Sequence, residues 1–249
     1  MSIIKVEGLT AAYEGVVVID DISFEVNRGE VFVILGSSGG GKSTLLKHMI
    51  GLLPPAAGRI LIDGEDIVAA DEDARPRILR KIGVLYQGGA LFGSLTLLEN
   101  VLLPMEEFTD LPADARELVA LMKLQLVGLG GFDRHTPAEI SGGMQKRAAL
   151  ARAMALDPQI LFLDEPSAGL DPIASAELDQ LILRLARTLK ITFVIVTHEL
   201  PSIYAVADRC ILLDQRVKRI VATGRPQDLR DSSADPWVRQ FFNREVATP

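Results

Sequence analysis

Gly36-Ser37-Ser38-Gly39-Gly40-Gly41-Lys42-Ser43 carries the spacing G-x-x-x-x-G-K-[ST], directly after the apolar run Val31 to Leu35 and directly before a helical pattern. Glycines let such a backbone curl so that successive N–H groups point at phosphate oxygens, and the helix that follows adds the positive end of its dipole. Lys42 would then reach the β and γ phosphates of a nucleotide such as ATP. Ser43 would place its hydroxyl on Mg²⁺, an ion that prefers oxygen ligands and keeps several waters. Thr44, next in the helix, is counted with the same binding loop. Much later, Ile160-Leu161-Phe162-Leu163 reads as a buried strand that ends in Asp164-Glu165. Two carboxylates thus arrive at the C-terminal edge of a sheet, where ligands bind open α/β folds. Asp164 is expected to hold Mg²⁺ through water, and Glu165 to orient and deprotonate an attacking water. Taken alone, Asp164-Glu165-Pro166 also fits an acidic turn. Beside a phosphate loop it fits phosphoryl transfer to water.

These residues need a scaffold. Short apolar runs bounded by turn residues at Val31 to Leu35, Ile60 to Ile62, Ile82 to Leu85, Ile160 to Leu163, Phe193 to Val196 and Cys210 to Leu213 read as strands. Helical spacing of leucine and alanine appears over Lys42 to Leu52, Gly142 to Ala155 and Ile173 to Leu189. Strands alternating with helices imply a largely parallel sheet covered on both faces. Ile4 to Ala11 and Val16 to Val26, joined across Tyr13-Glu14-Gly15, predict an antiparallel flap. From about Leu95 to Ala155 the strand signal vanishes while Pro104, Pro112 and Pro137 punctuate helical stretches, which predicts an inserted helical subdomain. The expected division is a core with its flap over about 1–94 and 156–230, the helical insertion over about 95–155, and a C-terminal tail from 231 to 249 that ends in a fraying polar segment.

Over essentially its whole length the sequence resembles the ABC ATPase family. Ile140-Ser141-Gly142-Gly143-Met144 is similar to the family signature L-S-G-G-Q and is followed by Gln145-Lys146-Arg147 and an alanine-rich helix. Read physically, a serine and two glycines opening a helix make a second anion site, although alone they also fit a helix N-cap. The resemblance implies that Ser141 and Gly143, with Gly142 and Met144 beside them, bind the γ phosphate of ATP held by another subunit. It implies further that Tyr13 stacks on adenine, and that Gln87 senses Mg²⁺ and water near a membrane partner. His198, after Phe193 to Thr197, resembles a switch histidine contacting the γ phosphate, and Ser167-Ala168-Gly169-Leu170-Asp171 a loop that links two active sites. The family fold is α/β, a RecA-like P-loop NTPase core with an antiparallel β subdomain and an inserted helical subdomain. Its geometry implies a head-to-tail homodimer with nucleotide between the subunits.

Met144 stands where the family usually has glutamine, which removes that side chain's contacts and leaves the backbone N–H groups. Tyr86 to Thr96, Glu99-Asn100-Val101, Met144, and Asp235-Pro236-Trp237-Val238-Arg239-Gln240-Phe241-Phe242 look like the Mla-type phospholipid-trafficking ATPases. That likeness implies integral permease subunits, a lipid-binding partner outside the inner membrane, phospholipid as cargo, and a peripheral place on the cytoplasmic face of that membrane. Leu91-Phe92 and Leu97-Leu98 form either a dock for a permease helix or subdomain core.

Composition narrows the alternatives. At 249 residues and 48% hydrophobic, the chain can bury a core without staples, and its one cysteine, Cys210, excludes an intrachain disulfide and fits a buried, inert thiol in a reducing compartment. A net charge of -7 argues against a broad nucleic-acid face, and hence against an ABC ATPase working on ribosomes or DNA. No apolar run reaches the ~18 residues needed to span a bilayer, and the opening Met-Ser-Ile-Ile-Lys-Val-Glu lacks the pattern of a signal peptide. A non-hydrolysing scaffold leaves Glu165 and His198 without a role, and a small-molecule kinase leaves Ile140 to Met144 unexplained.

Overall fold

The computed structural model describes residues 1–13, 15–37 and 39–244, and of Tyr13 the backbone. β1 (Ser2–Tyr13) and β2 (Val16–Asn27) pair antiparallel, with Val6 opposite Phe24 and Ala12 opposite Val17. Alternation along β2 buries Ile19, Ile22, Phe24 and Val26 and leaves the residues between them more exposed, as a strand with one wet face requires. β3 (Val31–Gly36) is buried at every position and delivers the chain into α1 (Lys42–Met49). β4 (Ala57–Ile62) and β5 (Glu65–Asp66) complete the flap, which runs β2-β1-β4-β5. Ile60 to Ile62 therefore lies outside the parallel sheet. Its two isoleucines point into the core under the flap while Ala57, Gly58 and Arg59 stay exposed, which is the one-sided burial of an antiparallel strand. Asp63 and Gly64 at the β4–β5 turn both have positive φ, as a tight two-residue hairpin demands.

α2 (Ala74–Leu79) leads into β6 (Ile82–Leu85), after which come only helices: α3 (Leu97–Phe108), α4 (Ala113–Leu126), a short 3-10 turn at Pro137–Glu139, and α5 (Gly142–Ala153). Pro112 caps α4 and Pro137 opens the 3-10 turn, whereas Pro104 sits inside α3 without ending it. Leu97 is fully buried, Leu91 and Leu98 pack against the same core, and Phe92 alone of the four is exposed. That segment is therefore mostly core.

Asn100 in α3 fixes the turn before it. Wholly buried, it accepts from the Phe92 N–H at 2.8 Å and donates to the Thr96 carbonyl at 2.9 Å and the Phe92 carbonyl at 3.1 Å. An apolar side chain of the same size leaves those buried backbone groups unpaired. Asn100→Leu is expected to cost about 2–4 kcal/mol of stability. A urea midpoint equal to that of the wild type would contradict this.

β7 (Ile160–Asp164), α6 (Pro172–Leu189), β8 (Thr192–Val196), α7 (Leu200–Val206), β9 (Arg209–Asp214) and β10 (Arg219–Gly224) complete the main sheet, in the order β10-β9-β3-β8-β7-β6. β3, β6, β7, β8 and β9 run parallel, and β10 folds back antiparallel at the edge. Alternate residues of one strand enter two separate cores. Val31, Val33 and Leu35 face the helical side with Leu161 and Phe193, while Phe32 and Ile34 face α1 and the flap with Phe162 and Val194. Cys210 is buried in β9, where burial pushes its thiol up to about 12.

The segment from Asp231 onward holds more than a tail. α8 (Pro226–Ser232) is followed by α9 (Pro236–Asn243), whose Val238 and Phe242 are buried. The Tyr204 hydroxyl donates to the Phe242 carbonyl at 2.9 Å, and the Arg216 guanidinium lies 4.7 Å from the Trp237 ring centroid. Residues 245–249 lie outside the described residues.

Candidate active site

β3, β7 and β8 are adjacent in the sheet, and the loops that leave their C-terminal ends meet over one cavity. The first loop turns into α1 at Gly41, whose φ is 83°. A Cβ there would sit 3.0 Å from Ile19 Cγ1 and 3.2 Å from Val18 Cγ1, so both conformation and space call for glycine. Lys42 Nζ donates to the carbonyls of Gly36 and Ser37, each at 2.9 Å, which ties the loop's start to its end. Burial lowers the Lys42 pKa, and the charges of Glu165 and Asp164 oppose that shift.

A cavity of about 580 Å³ is lined by Gly36, Ser37, Gly39, Lys42, Ser43, Gln87, Glu165 and His198, together with Leu200, Phe241 and Arg244. A shallower recess of about 180 Å³ beside it takes in Val18 and the run from Gly39 through Gly40 and Gly41 to Thr44. Ser43 Oγ donates to Asp164 Oδ1 at 3.3 Å. Burial raises the Asp164 pKa, a shift that the Ser43 hydrogen bond opposes and the Glu165 charge reinforces.

Glu165 itself occupies strained backbone, with φ 46° in a non-glycine residue, while its N–H continues the sheet by donating to the Val196 carbonyl at 2.8 Å. Its Oε1 lies 2.8 Å from His198 Nδ1, and its Oε2 is buried with no partner among the described residues. A buried carboxylate oxygen in that condition can accept a proton or a water. Ser43, Asp164 and Gln87 bring a hydroxyl, a carboxylate and an amide carbonyl, the oxygen chemistry that Mg²⁺ prefers. The described residues hold no cluster of three or more His, Cys, Asp or Glu able to bind a metal alone. An ion here would need phosphate oxygens to complete its shell, the usual habit of Mg²⁺.

Other expected site residues lie elsewhere. Ser141 caps α5, accepting from the Met144 N–H at 3.3 Å; it and Gly142 are exposed, Gly143 and Met144 half-buried, and none of the four lines the cavity. Asp171 caps α6 by accepting from Ile173 and Ala174 N–H at 2.9 and 3.0 Å. Ser167 is buried, its Oγ without a partner among the described residues. Ser38 and the side chain of Tyr13 lie outside the described residues. Sequence reasoning missed Leu200, Phe241 and Arg244. For α9 the signal was present: Asp235-Pro236 at a helix start, then Val238, Phe241 and Phe242 at helical spacing.

The ABC transporter family profile matches residues 19–168. The chain is 45% identical over 240 residues to the probable ribonucleotide transport ATP-binding protein mkl of Mycobacterium leprae (strain TN), covering 96% of this chain and 68% of that protein. It is 42% identical over 226 residues to the intermembrane phospholipid transport system ATP-binding protein MlaF of Escherichia coli (strain K12), covering 91% of this chain and 83% of that one. Among solved structures, the dimeric post-hydrolysis state of the ATP-binding cassette MJ0796 bound to ADP and Pi superposes with a TM-score of 0.80 at 31% identity, over 89% of this chain and 98% of that one.

Proposed function

The chain belongs to the ABC transporter ATPases, and from that premise we propose that it powers the movement of phospholipid between membranes through a separate permease. The ATP-hydrolysing reading is carried above all by one observation: Glu165, whose buried Oε2 has no partner among the described residues, shares a cavity with the phosphate loop and His198. Lys42 and the loop's N–H groups bind and orient the phosphates. His198 holds Glu165 through Oε1, which leaves Oε2 to orient a water and take its proton as the water oxygen bonds to the γ phosphorus and the bond from that phosphorus to the β–γ bridging oxygen breaks, releasing ADP and phosphate. When bound, Mg²⁺ would be held by Ser43, by Gln87 and, through water, by Asp164, and would neutralise phosphate charge.

Ser141 to Met144 opens a helix as a second anion site away from the cavity. One copy therefore holds two half-sites, and a head-to-tail second copy brings one to the other, with Asp171 and Ser167 in the loop between them and Tyr13 against adenine. In this arrangement residues 95–155 act as a helical insertion, and the remainder through 230 as core and flap. The two ATPases sit on the cytoplasmic face of the inner membrane beneath permease subunits, with a lipid-binding partner beyond. Among the described residues no helix is long and apolar enough to cross a membrane.

The cargo assignment rests on the MlaF likeness and on the stretches around Tyr86 to Thr96, Met144 and Asp235 to Phe242. The name of the mycobacterial relative favours a second reading, ribonucleotide. Purifying the tagged chain with its native membrane partners and identifying the bound small molecule by mass spectrometry separates them. Phospholipid in a complex containing a permease and a lipid-binding protein is the expected result. Bound ribonucleotide other than ATP or ADP would overturn the cargo, and association with ribosomes or DNA factors would overturn transport.

A further inference from the structure

The turn that carries Gln87 into the cavity is held by the helix that begins at Ser141. Gly89 and Ala90 both have positive φ, at 73° and 50°, the latter an uncommon conformation for alanine. Consecutive left-handed residues turn this segment's carbonyls toward α5, and two α5 cations meet them. Lys146 Nζ donates to the Gln87 carbonyl; Arg152 donates to the Ala90 carbonyl through Nη1 at 2.6 Å and to the Gly89 carbonyl through Nη2 at 2.9 Å. Lys146 is only 8% exposed. A buried ammonium bonded to a carbonyl is costly to keep, and Asp164 and Glu165 help to hold it there by their charge. The N-terminal end of α5 is fixed as well, because Gln145 Nε2 donates to the Pro137 carbonyl at 2.9 Å.

We propose that Lys146 and Arg152 are positioning residues: they make the Ser141 helix and the Gln87 turn one rigid piece, so that engagement of the helix's anion site sets where Gln87 stands in the chain's own cavity. This rests on the hydrolytic reading above. Neither cation lines the cavity, so their contact with the reaction runs through the Gln87 turn, while the charge that Lys146 shares with Asp164 and Glu165 is kept by Lys146→Arg. The link runs between two sites through named hydrogen bonds and one helix, a contiguous network of the kind that can carry coupling.

Steady-state ATP turnover by the full chain tests it. Lys146→Met keeps the length and apolar stem and removes the donor; it should lower kcat on the order of 10-fold while KM for ATP stays within about twofold. Lys146→Arg, which keeps charge and donors, should restore most of the rate. In a Gln87→Ala background the Lys146→Met effect should shrink to within about twofold, because a residue acting through Gln87 has nothing left to place. Should Lys146→Met fail to fold, Arg152→Lys carries the same cycle, since an ammonium does not reproduce the guanidinium fork. An unchanged kcat, or an equal loss with and without Gln87, would overturn the proposal. A wild-type chain that does not turn over ATP would overturn the hydrolytic reading beneath it, a result distinct from either.

Discussion

Glu165→Gln is expected to leave ATP bound while slowing hydrolysis by on the order of 10²-fold or more. The substitution keeps the side chain's size and its reach to His198 Nδ1, 2.8 Å away in the native protein, and removes only the capacity to take a proton. The neighbouring charges strengthen the expectation that one group carries this step. Asp164 Oδ1 accepts from Ser43 and His198 Nδ1 is engaged with Oε1, while Oε2, buried and without a partner among the described residues, is open to a water. Slow turnover with binding intact makes the variant a trap: bound ATP persists, and whatever state it favours accumulates. Turnover equal to the wild type would remove Glu165 from the reaction.

Lys42→Ala is expected to weaken ATP binding by about 100-fold or more, read as a Kd by titration with a fluorescent ATP analogue. Two losses add. The phosphate counter-charge goes, and so do the 2.9 Å bonds that tie the Gly36 and Ser37 carbonyls to the start of α1. A lysine has three donors, and these two carbonyls occupy two of them, which leaves one for phosphate. Lys42→Arg separates the contributions: it keeps the charge, but a planar guanidinium does not reproduce an ammonium bonded to the Gly36 and Ser37 carbonyls, so binding should recover only in part. Wild-type affinity in Lys42→Ala would contradict the assignment of the phosphate loop.

Much of this molecule was legible because its signals are local. The phosphate loop is a contiguous motif with a strand before it and a helix after it, and the five parallel strands declare themselves as apolar runs too short for helices. What escaped depends on partners distant in sequence. β10 is half-exposed and pairs only at the edge, so Arg219 to Gly224 carries neither a continuous apolar run nor clean alternation. Ile60 to Ile62 reads as a strand, but no local feature says which sheet it joins; its pairing with Ile4 and Val6 decides that. Around the cavity, Glu165 and His198 follow apolar strands, whereas Phe241 and Arg244 arrive from a helix that packs on Tyr204. Lys146 looked like one more polar residue of an alanine-rich helix, and its burial follows from the fold of Gly89 and Ala90 far upstream.

Closure of two half-sites around nucleotide should change the solution mass of the Glu165→Gln chain, measured by light scattering with and without ATP and Mg²⁺. A monomer that becomes a dimer of twice 27.0 kDa when ATP and Mg²⁺ are added, and returns to monomer with ADP, is the predicted result. A chain that binds ATP yet stays monomeric at every protein concentration would contradict it, because Ser141 to Met144 would then never meet a phosphate.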